Sequence, residues 1–462
     1  MSNVTPDISC PARQVQEFSE NIEVREGFMT GASRSAFATR FTSNATPCLM
    51  ILFPTMFFAY QFVVRIIPSL LADQIMQQLQ VGASLFGMLS VSYYLGYALA
   101  NIPMAILMEK YSPRLVISSS SILCGIFLFA FHNVTNPHLA LVIRFFIGAV
   151  SCVGFISISK VALQWFSKDS YGMALSISVT IGLGGAVFAG GPLDSLITLY
   201  GSNNVIMAIV LLSFVVGASI FFFLRSPSDQ VTAGSVAVIK LPDLKKALLS
   251  PEVFLLGLGS MLMMGFDNGF SDLWGVSYLV ANFSIAKNEA ASAISWVFTG
   301  VLVGALVVPF LGRKLGEARI IVGTAVLTAV IFYFVILATS NLSSTFLSLT
   351  MFFLGVLSAA KILTFAMCAR IVDAKIASVA LSLLNCIFMS GGIFHHSLIG
   401  TLLDHFWTGE LVDGQRYYSA DAFYWSLLVI PVGAMIGSAL VIFVNRMAKR
   451  KGLLSSSGSD EG

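Results

Sequence analysis

Charged residues are scarce in this chain. Only 11% of its 462 residues are Asp, Glu, Lys or Arg, whereas a soluble domain carries roughly 25% because its surface faces water. The hydrophobic fraction reaches 56%, and the charges that do occur lie in short clusters between long apolar stretches. This distribution excludes an ordinary soluble domain and predicts a chain whose outer surface meets lipid.

The sequence also lacks cysteine motifs and catalytic signatures. Its six cysteines form no CxxC pair and no Cys/His cluster. We therefore interpret them as small buried hydrophobes and predict neither a disulfide framework nor a metal site. No Ser/His/Asp set, Walker loop or dinucleotide fingerprint is present. The sequence therefore predicts neither an enzyme nor an ATP-driven pump, and it implies no cofactor and no nucleic-acid partner.

Long apolar stretches dominate what is there. A helix that crosses a bilayer needs about 20 mostly apolar residues, and twelve stretches meet that requirement. They are residues 47–70, 85–108, 114–132, 138–165, 171–193, 203–225, 252–282, 290–311, 319–339, 346–369, 376–403 and 422–445. The seventh and the eleventh are long enough to tilt or to be broken by glycine.

Lysine and arginine in the short loops predict the orientation of these spans. With a cytoplasmic N-terminus, twenty basic residues fall on the inner side, and two, Lys287 and Arg416, fall on the outer side. We therefore expect both termini in the cytoplasm of a multi-pass protein of the cell membrane, most simply a bacterial inner membrane. The remaining four basic residues lie within spans: Arg65, Arg144, Lys160 and Lys361.

A polar stretch after the sixth span divides the chain into two halves. The halves share a short repeat, because residues 145–151 (FFIGAVS) match residues 352–358 (FFLGVLS) at equivalent spans, 207 positions apart. This predicts a duplicated six-helix unit. The predicted organisation is a flexible cytoplasmic tail (1–45), an N-terminal six-helix bundle (46–225), a cytoplasmic linker (226–251), a C-terminal six-helix bundle (252–446) and a second tail (447–462).

The loop after the second span resembles the G-x-L-x-D-R-x-G-R signature of the major facilitator superfamily. Glu109 stands at the position of the acid, Lys110 at that of the following base and Arg114 at that of the last arginine. Ala105 and Ser112 replace its two glycines. In that family such a loop acts at the cytoplasmic side, so the resemblance implies a gating role for Glu109, Lys110 and Arg114.

Two further elements resemble the same family. Arg144 lies four residues before Gly148, as in its R-x-x-x-G element, and the fifth span carries a glycine–proline element that ends at Pro192. Together they extend the resemblance over residues 46–446. It implies an all-α membrane protein with twelve transmembrane helices in two pseudo-symmetric six-helix bundles, the major facilitator fold. It also implies a structural or proton-coupling role for Arg144.

A finer resemblance concerns three short segments. Arg65-x-x-Pro68-Ser69, Trp165-Phe166 and Trp274-Gly275 are similar to segments of bacterial permeases for anionic or amino-acid nutrients, including the phagosomal amino-acid transporters of intracellular bacteria. This likeness implies an anionic or amino-acid nutrient as the substrate, and each of these carries a carboxylate or a similar anionic group.

Arg65 is a candidate for binding such a charge. A charge at the bilayer centre costs about 2.5–3.5 kcal/mol on insertion scales, so it must face protein or water. With Tyr60 and Gln61 one turn earlier, Arg65 can offer a cationic, hydrogen-bonding wall to a carboxylate or a phosphate. The alternative is that Arg65 extends to the outer headgroups.

Lys361 lies too deep in the tenth span to reach a headgroup. It either binds an anionic group of the substrate or pairs with an acid of another helix, and the seventh span offers Asp267 and Asp272. A carboxylate in that setting can carry a coupling proton. The alternative for these residues is a permanent structural ion pair.

The sequence indicates the roles of the other polar residues in the spans less clearly. His395 can relay protons because histidine titrates near neutral pH, or it can simply pack. Asn385 can hydrogen-bond a solute or a neighbouring helix. Tyr93, Tyr94 and Tyr97 can face a central cavity, although tyrosines in spans also serve as packing and interfacial anchors.

We therefore expect a monomeric secondary transporter that moves a small anionic or zwitterionic solute across the bilayer by alternating access, with protons as the coupling ion. Amino acids and short peptides are the first candidates for the solute, and organic anions the second. An exporter of a drug or siderophore is an alternative within the same fold. A membrane receptor or assembly partner that does not transport is an alternative of a different class.

Overall fold

A computed structural model of the chain describes residues 45–166, 168–225, 250–338, 342–372, 377–412 and 415–453. The predicted N-terminal tail, most of the predicted linker and the end of the C-terminal tail lie outside these residues. The chain forms two compact units, Met1–Met50 and Ile51–Gly462. In the first, only the opening of a helix is described; everything below concerns the second.

Helices account for nearly all of the described chain. In order they are Ala45–Leu70, Ala72–Leu79, Ala83–Lys110, Pro113–Asn133, Pro137–Ser151, Val153–Trp165, Lys168–Phe188, Gly191–Tyr200, Ser202–Phe223, Pro251–Met263, Gly265–Trp274, Gly275–Phe283, Lys287–Leu315, Glu317–Leu337, Ser344–Ser358, Ala359–Ile362, Leu363–Ile371, Ala377–His405, Ala420–Leu427 and Val429–Arg450. Leu411–Val412 and Gln415–Arg416 pair as a two-stranded antiparallel ribbon, a small addition to the predicted all-α fold.

The helices confirm the predicted set of spans. Among the described residues, eleven helices are long and apolar enough to cross a membrane. A twelfth span results if Ile177–Phe188 and Gly191–Tyr200, which are bent by 43° relative to each other, count as one. The bend follows Gly190, and Pro192 stands at the start of the second helix, where a missing N–H costs nothing. We number the spans one to twelve in chain order.

Successive spans run in opposite directions, so their ends gather on two faces. On the face that we call distal, Gln78 donates to the carbonyl oxygens of His132 (2.9 Å) and Val134 (2.6 Å), and Asn282 donates to that of Ala338 (2.8 Å). On the opposite face, which we call the tail face, the guanidinium of Arg370 lies 3.3 Å from the Glu317 carboxylate. Large apolar side chains such as Leu211 (58% exposed), in the middle of the helix Ser202–Phe223, point outward between the two faces, as expected of a surface that meets lipid.

The predicted repeat reappears in how the helices touch. In span four, Gly148 packs against the carbonyl oxygen of Tyr93 in span two, so closely that a Cβ atom would overlap it. Gly355 in span ten, 207 residues later, packs in the same way against the carbonyl of Val297 in span eight. Gly96 and Gly300 complete the reciprocal contacts, against Phe145 and Phe352. Small residues allow helices to approach closely in a bilayer, and here they do so at equivalent places in both halves.

Spans seven and ten are interrupted, whereas span eleven is continuous. Span seven changes from an α-helix to a π-helix over Gly265–Trp274 and returns to an α-helix at Gly275, so of the two alternatives for this span the interruption is present. Span ten contains a single 3₁₀ turn, Ala359–Ile362. Span eleven forms one helix from Ala377 to His405. Local irregularities of this kind inside helices often mark functional positions.

We expect Gly148→Ala and Gly355→Ala to destabilise the protein by about 1–3 kcal/mol each, the usual cost of overpacking a tight contact. Thermal unfolding of the purified protein in detergent measures this. Gly184→Ala and Gly323→Ala are matched controls, because no atom lies within 4 Å of a Cβ at either position. Equal melting temperatures for all four variants would contradict the tight-contact interpretation.

Candidate functional site

Two acids of span seven lie on one side of the π-helix. Asp267 and Asp272 are five residues apart, which in an α-helix would turn them about 140° away from each other. In a π-helix the hydrogen bonds join residues i and i+5, so the two carboxylates follow one another along the axis. Both are buried, with 8% and 3% of their surface exposed. A buried carboxylate needs a charged or hydrogen-bonding partner, and each of them has one.

Asp272 pairs with Arg65. The guanidinium Nη2 of Arg65, in span one, lies 3.1 Å from Oδ1 of Asp272. The hydroxyl of Tyr94, in span two, donates to the other carboxylate oxygen at 2.5 Å. The guanidinium also lies over the ring of Phe62, 4.5 Å from its centre. Three spans from the two halves of the sequence therefore meet at a single carboxylate.

Asp267 pairs with Lys361. The ammonium Nζ lies 2.6 Å from Oδ2 of Asp267 and also donates to the carbonyl of Ser358 at 2.7 Å. The hydroxyl of Ser358 donates to the other oxygen of Asp267 at 3.0 Å. Lys361 occupies the 3₁₀ turn of span ten, and all of these groups belong to the last six spans. Of the two alternatives for Lys361, the structure therefore shows the pair with an acid.

Arg144 is held by rings and a carbonyl. It is 1% exposed, and its guanidinium lies 5.0 Å from the ring centre of Tyr93 and 5.5 Å from that of Phe131. It donates to the carbonyl of Val64 at 3.4 Å. Within the described part of the chain no carboxylate pairs with it. The hydroxyl of Tyr93 in turn donates to Gln61 at 2.9 Å, so two of the predicted site residues, Arg144 and Gln61, share one tyrosine.

The remaining predicted residues contribute in different ways. The hydroxyl of Tyr60 is buried without a hydrogen-bond partner among the described residues. Nδ1 of His395 lies 2.8 Å from the carbonyl of Gly391, a contact within its own helix. Asn385 is half-buried, and no hydrogen bond between described residues joins it to the two ion pairs. His396 follows His395 in span eleven. Both of its ring nitrogens are buried without a hydrogen-bond partner among the described residues. The centre of its ring lies 5.6 Å from that of the Tyr94 ring.

The predicted gating residues lie on the tail face. The side chain of Glu109 is outside the described residues. Lys110 lies over the ring of Tyr111, 5.5 Å from its centre, and Arg114 lies over that of Phe221, 6.0 Å away. Both contacts stay within the first six spans, so a gating role for these residues remains a prediction.

The sequence did not reveal a cluster on the distal face that we call the distal latch: Ala83, Ser84, Asp404, Arg416 and Tyr418. The carboxylate of Asp404, at the end of span eleven, accepts the first backbone N–H groups of span two, from Ala83 (3.0 Å) and Ser84 (2.7 Å). Arg416 contributes an N–O contact of 3.1 Å to the same carboxylate. A carboxylate at a helix N-terminus is stabilised by unpaired N–H groups and by the helix dipole.

Tyr418 completes the distal latch. Its hydroxyl donates to Asp404 at 2.7 Å and accepts the N–H of Ala83 at 2.7 Å. Burial and the adjacent Asp404 carboxylate raise the pKa of Tyr418 above its usual value, so the hydroxyl keeps its proton. Ala83 and Ser84 lie more than 300 residues from the other members, so no local spacing pointed to the cluster. Its signals in the sequence were an acid at the end of a span and Arg416, one of the two basic residues assigned to the outer side.

A second contact joins the two halves on the distal side. The hydroxyl of Ser295, in span eight, accepts the N–H of Gly191 at 2.8 Å and donates to the carbonyl of Val187 at 2.8 Å. A Cβ atom at Gly190 would overlap the Ser295 hydroxyl. The break in span five therefore exposes backbone groups that a serine of span eight satisfies.

Comparison with known proteins agrees with this architecture. Residues 52–395 match the profile of the Major Facilitator Superfamily. A hexuronate transporter of Bacillus subtilis (strain 168) is 22% identical over 409 residues, which cover 84% of this chain and 95% of that protein.

Solved structures show the same fold. A bacterial homologue of the human lysosomal transporter Spinster, in an inward-facing and unoccupied conformation, superposes with a TM-score of 0.71 at 15% identity, covering 89% of this chain and 99% of its own. The nucleoside transporter NupG gives a TM-score of 0.70 at 14% identity, covering 86% and 99%.

We expect Lys361→Ala to destabilise the protein by about 3–5 kcal/mol, because it leaves the Asp267 carboxylate buried without its cation. The double variant Lys361→Met/Asp267→Asn removes both charges and should recover most of that loss. Thermal unfolding in detergent measures both. If the single and double variants were equally unstable, the charge pair would not be the source of the effect.

We expect Asp404→Asn to separate the distal ends of spans two and eleven, because the amide carries no charge to stabilise the N-terminus of span two. The loss of a charge at a helix N-terminus costs about 0.3–1 kcal/mol, or up to roughly a fivefold change in a population. Spin labels at Gln74 and Glu410, both exposed, report the distance by pulsed electron resonance. Asp421→Asn, an exposed acid of span twelve, is the control. An unchanged distance distribution would show that the carboxylate does not hold this face closed.

Proposed function

Because the chain belongs to the major facilitator superfamily, we propose that it is a secondary transporter of a small carboxylate-bearing solute, driven by protons. The family assigns it to transporters rather than to enzymes. The observation that carries the proposal is the ion pair between the partly buried Arg65 and the buried Asp272. It joins spans one and seven at positions 207 residues apart, the same separation as the sequence repeat, so it lies at equivalent places in the two halves.

The ion pair provides an anion site that is already filled by a group of the protein. A solute carboxylate that reaches Arg65 takes the place of Asp272. The released Asp272 carboxylate would then be buried without a cation, which costs several kcal/mol. Protonation removes that cost. Solute anion and proton therefore enter together, and the net charge of the site is the same before and after binding.

Tyr94 supports this exchange. Its hydroxyl donates to Asp272 at 2.5 Å, and a hydroxyl can instead accept a hydrogen bond once the carboxyl carries a proton. A solute anion displaces Asp267 from its cation less easily, because Lys361 and Ser358 both donate hydrogen bonds to its carboxylate. We therefore assign the coupling role to Asp272 rather than to Asp267, and a positioning role in the last six spans to Lys361.

The chemistry around the pair favours a hydroxylated acid. Buried polar groups of spans seven and eleven have no hydrogen-bond partner among the described residues: the Asn268 amide Nδ2 and both nitrogens of His396. Buried polar groups of this kind call for a partner, and the hydroxyls of a sugar acid can serve as one. The likeness to a hexuronate transporter supports the same class. An amino acid would also need an anion for its ammonium group, and Asp267 is held by Lys361, so amino acids and short peptides become the second candidates.

Uptake into proteoliposomes tests the function. We expect an inward proton gradient to drive accumulation of radiolabelled D-glucuronate, with D-glucose as the uncharged control and L-glutamate and a dipeptide as the alternatives. A protonophore should collapse the accumulation. Accumulation that resists the protonophore would argue against proton coupling. The absence of counterflow for every solute would favour a receptor over a transporter.

The Asp272→Asn variant separates binding from coupling. The amide cannot release a proton, so we expect gradient-driven accumulation to fall by at least about tenfold, while exchange of internal for external solute continues. Asp421→Asn is the control and should leave both rates unchanged. If Asp272→Asn still accumulated solute against a gradient, Asp272 would not carry the proton. Thermal unfolding of each variant verifies that the protein remains folded.

A further inference from the structure

A cavity of about 340 Å³ opens on the distal face, within the usual size range of sites for small ligands. It lies between the end of span one, the outer part of span seven, the two-stranded ribbon and the start of span twelve. We call it the distal vestibule and define it by six of its lining residues: Ser69, Asp73, Trp274, Ser277, Lys287 and Arg416.

Two polar groups that line the vestibule lack partners. Ser69 and Trp274 are 2% and 1% exposed, and neither the Ser69 hydroxyl nor the indole N–H of Trp274 has a hydrogen-bond partner among the described residues. Ser69 stands one helical turn beyond Arg65, and Trp274 two residues beyond Asp272. The vestibule therefore lies directly outside the central ion pair, and it has two donors that a ligand can satisfy.

The charges of the vestibule are predominantly positive. Among the described lining residues, Lys287 and Arg416 are the cations and Asp73 is the acid, while Asp404, outside the lining, pairs with Arg416. These are the two basic residues that the loop-charge pattern assigns to the outer side. Since basic residues are rare on that side of a membrane protein, their presence in one cavity argues for a local requirement for positive charge. A cavity whose lining carries more positive than negative charge attracts anionic ligands.

We propose that the distal vestibule is an outer docking site for the anionic solute, reached before the distal face opens. This inference rests on the proposed function and on the orientation predicted from the loops. The carboxylate of the solute binds Lys287 and Arg416, and its hydroxyls reach Ser69 and Trp274. Arg416 is also the cation of the distal latch, 3.1 Å from Asp404. A solute in the vestibule competes with Asp404 for this guanidinium, so docking weakens the latch.

Protection of an introduced thiol tests the docking site. The Ser277→Cys variant of the full chain, in right-side-out membrane vesicles, is labelled with a membrane-impermeant maleimide, and the unmodified chain gives the background. The probes are D-glucuronate, L-glutamate and succinate, with D-glucose as the uncharged control. We expect at least one carboxylate to slow labelling, by roughly tenfold at ten times its Kd, and D-glucose to have no effect.

Charge variants in the same background identify the contact. Lys287→Gln should raise the Kd of the protecting carboxylate by about two- to fivefold, the range for an exposed ion pair. Lys287→Arg should restore the original Kd. Lys314→Gln, an exposed lysine on the tail face, is the matched control. A reduction of equal size in the Lys314 variant would overturn the assignment to Lys287.

Uptake of the same three carboxylates, measured in parallel, separates this inference from the proposed function. Uptake without protection of the thiol overturns the docking site and leaves the transporter intact. Protection without uptake supports the docking site and refutes transport of that solute. A thiol that reacts only from the inner side overturns the outer position of the vestibule.

Discussion

Arg65 and Asp272 lie 3.1 Å apart in the interior of the protein, and the surrounding structure follows from the need to keep these two charges together. A single buried charge costs several kcal/mol, so the Asp272 carboxylate, whose side chain is 3% exposed, needs the partly exposed Arg65 beside it. Tyr94 supplies the second carboxylate oxygen of Asp272 with a donor, which brings span two into the same cluster. The pair also makes the protonation of the interior depend on anion binding. Any anion that binds the guanidinium releases a carboxylate, which must then take a proton or find another cation.

The two ion pairs of the interior differ in what they connect. Arg65 and Asp272 join the two halves of the sequence, whereas Lys361 and Asp267 join spans ten and seven within the second half. A pair within one half can persist while the halves move. A pair between the halves has to break or re-form when they separate. This difference is the physical reason for assigning coupling to Asp272 and positioning to Lys361.

A carboxylate with a basic partner also occurs on the distal face, where it lies at the N-terminus of a helix. Asp404 receives the first two N–H groups of span two, and Arg416 neutralises part of its charge. These bonds lie beside a cavity that contains the same arginine. In the proposed docking site, the guanidinium of Arg416 would both bind the anionic solute and hold this face closed. Under that proposal, solute binding and opening of this face are physically linked.

The sequence alone predicted twelve spans, because a bilayer needs about 20 apolar residues for each crossing and few other constraints produce such runs. Eleven of them are single apolar stretches of the described chain, whereas the fifth, predicted to end at residue 193, bends by 43° and continues to Tyr200. The sequence also determined the repeat that contains Gly148 and Gly355, since a tight helix contact tolerates no side chain at either position. It identified the buried charges, because Arg65, Lys361, Asp267 and Asp272 interrupt apolar stretches.

Only the tertiary structure decided which acid pairs with which base. That choice depends on the π-helix of span seven, which turns Asp267 and Asp272 to one side, and α-helical periodicity would have separated them. It depends equally on contacts between residues some 200 positions apart, as for Arg65 and Asp272, or more than 300, as for Ala83 and Asp404. Such contacts arise when whole helices pack, and no local pattern in the chain records them.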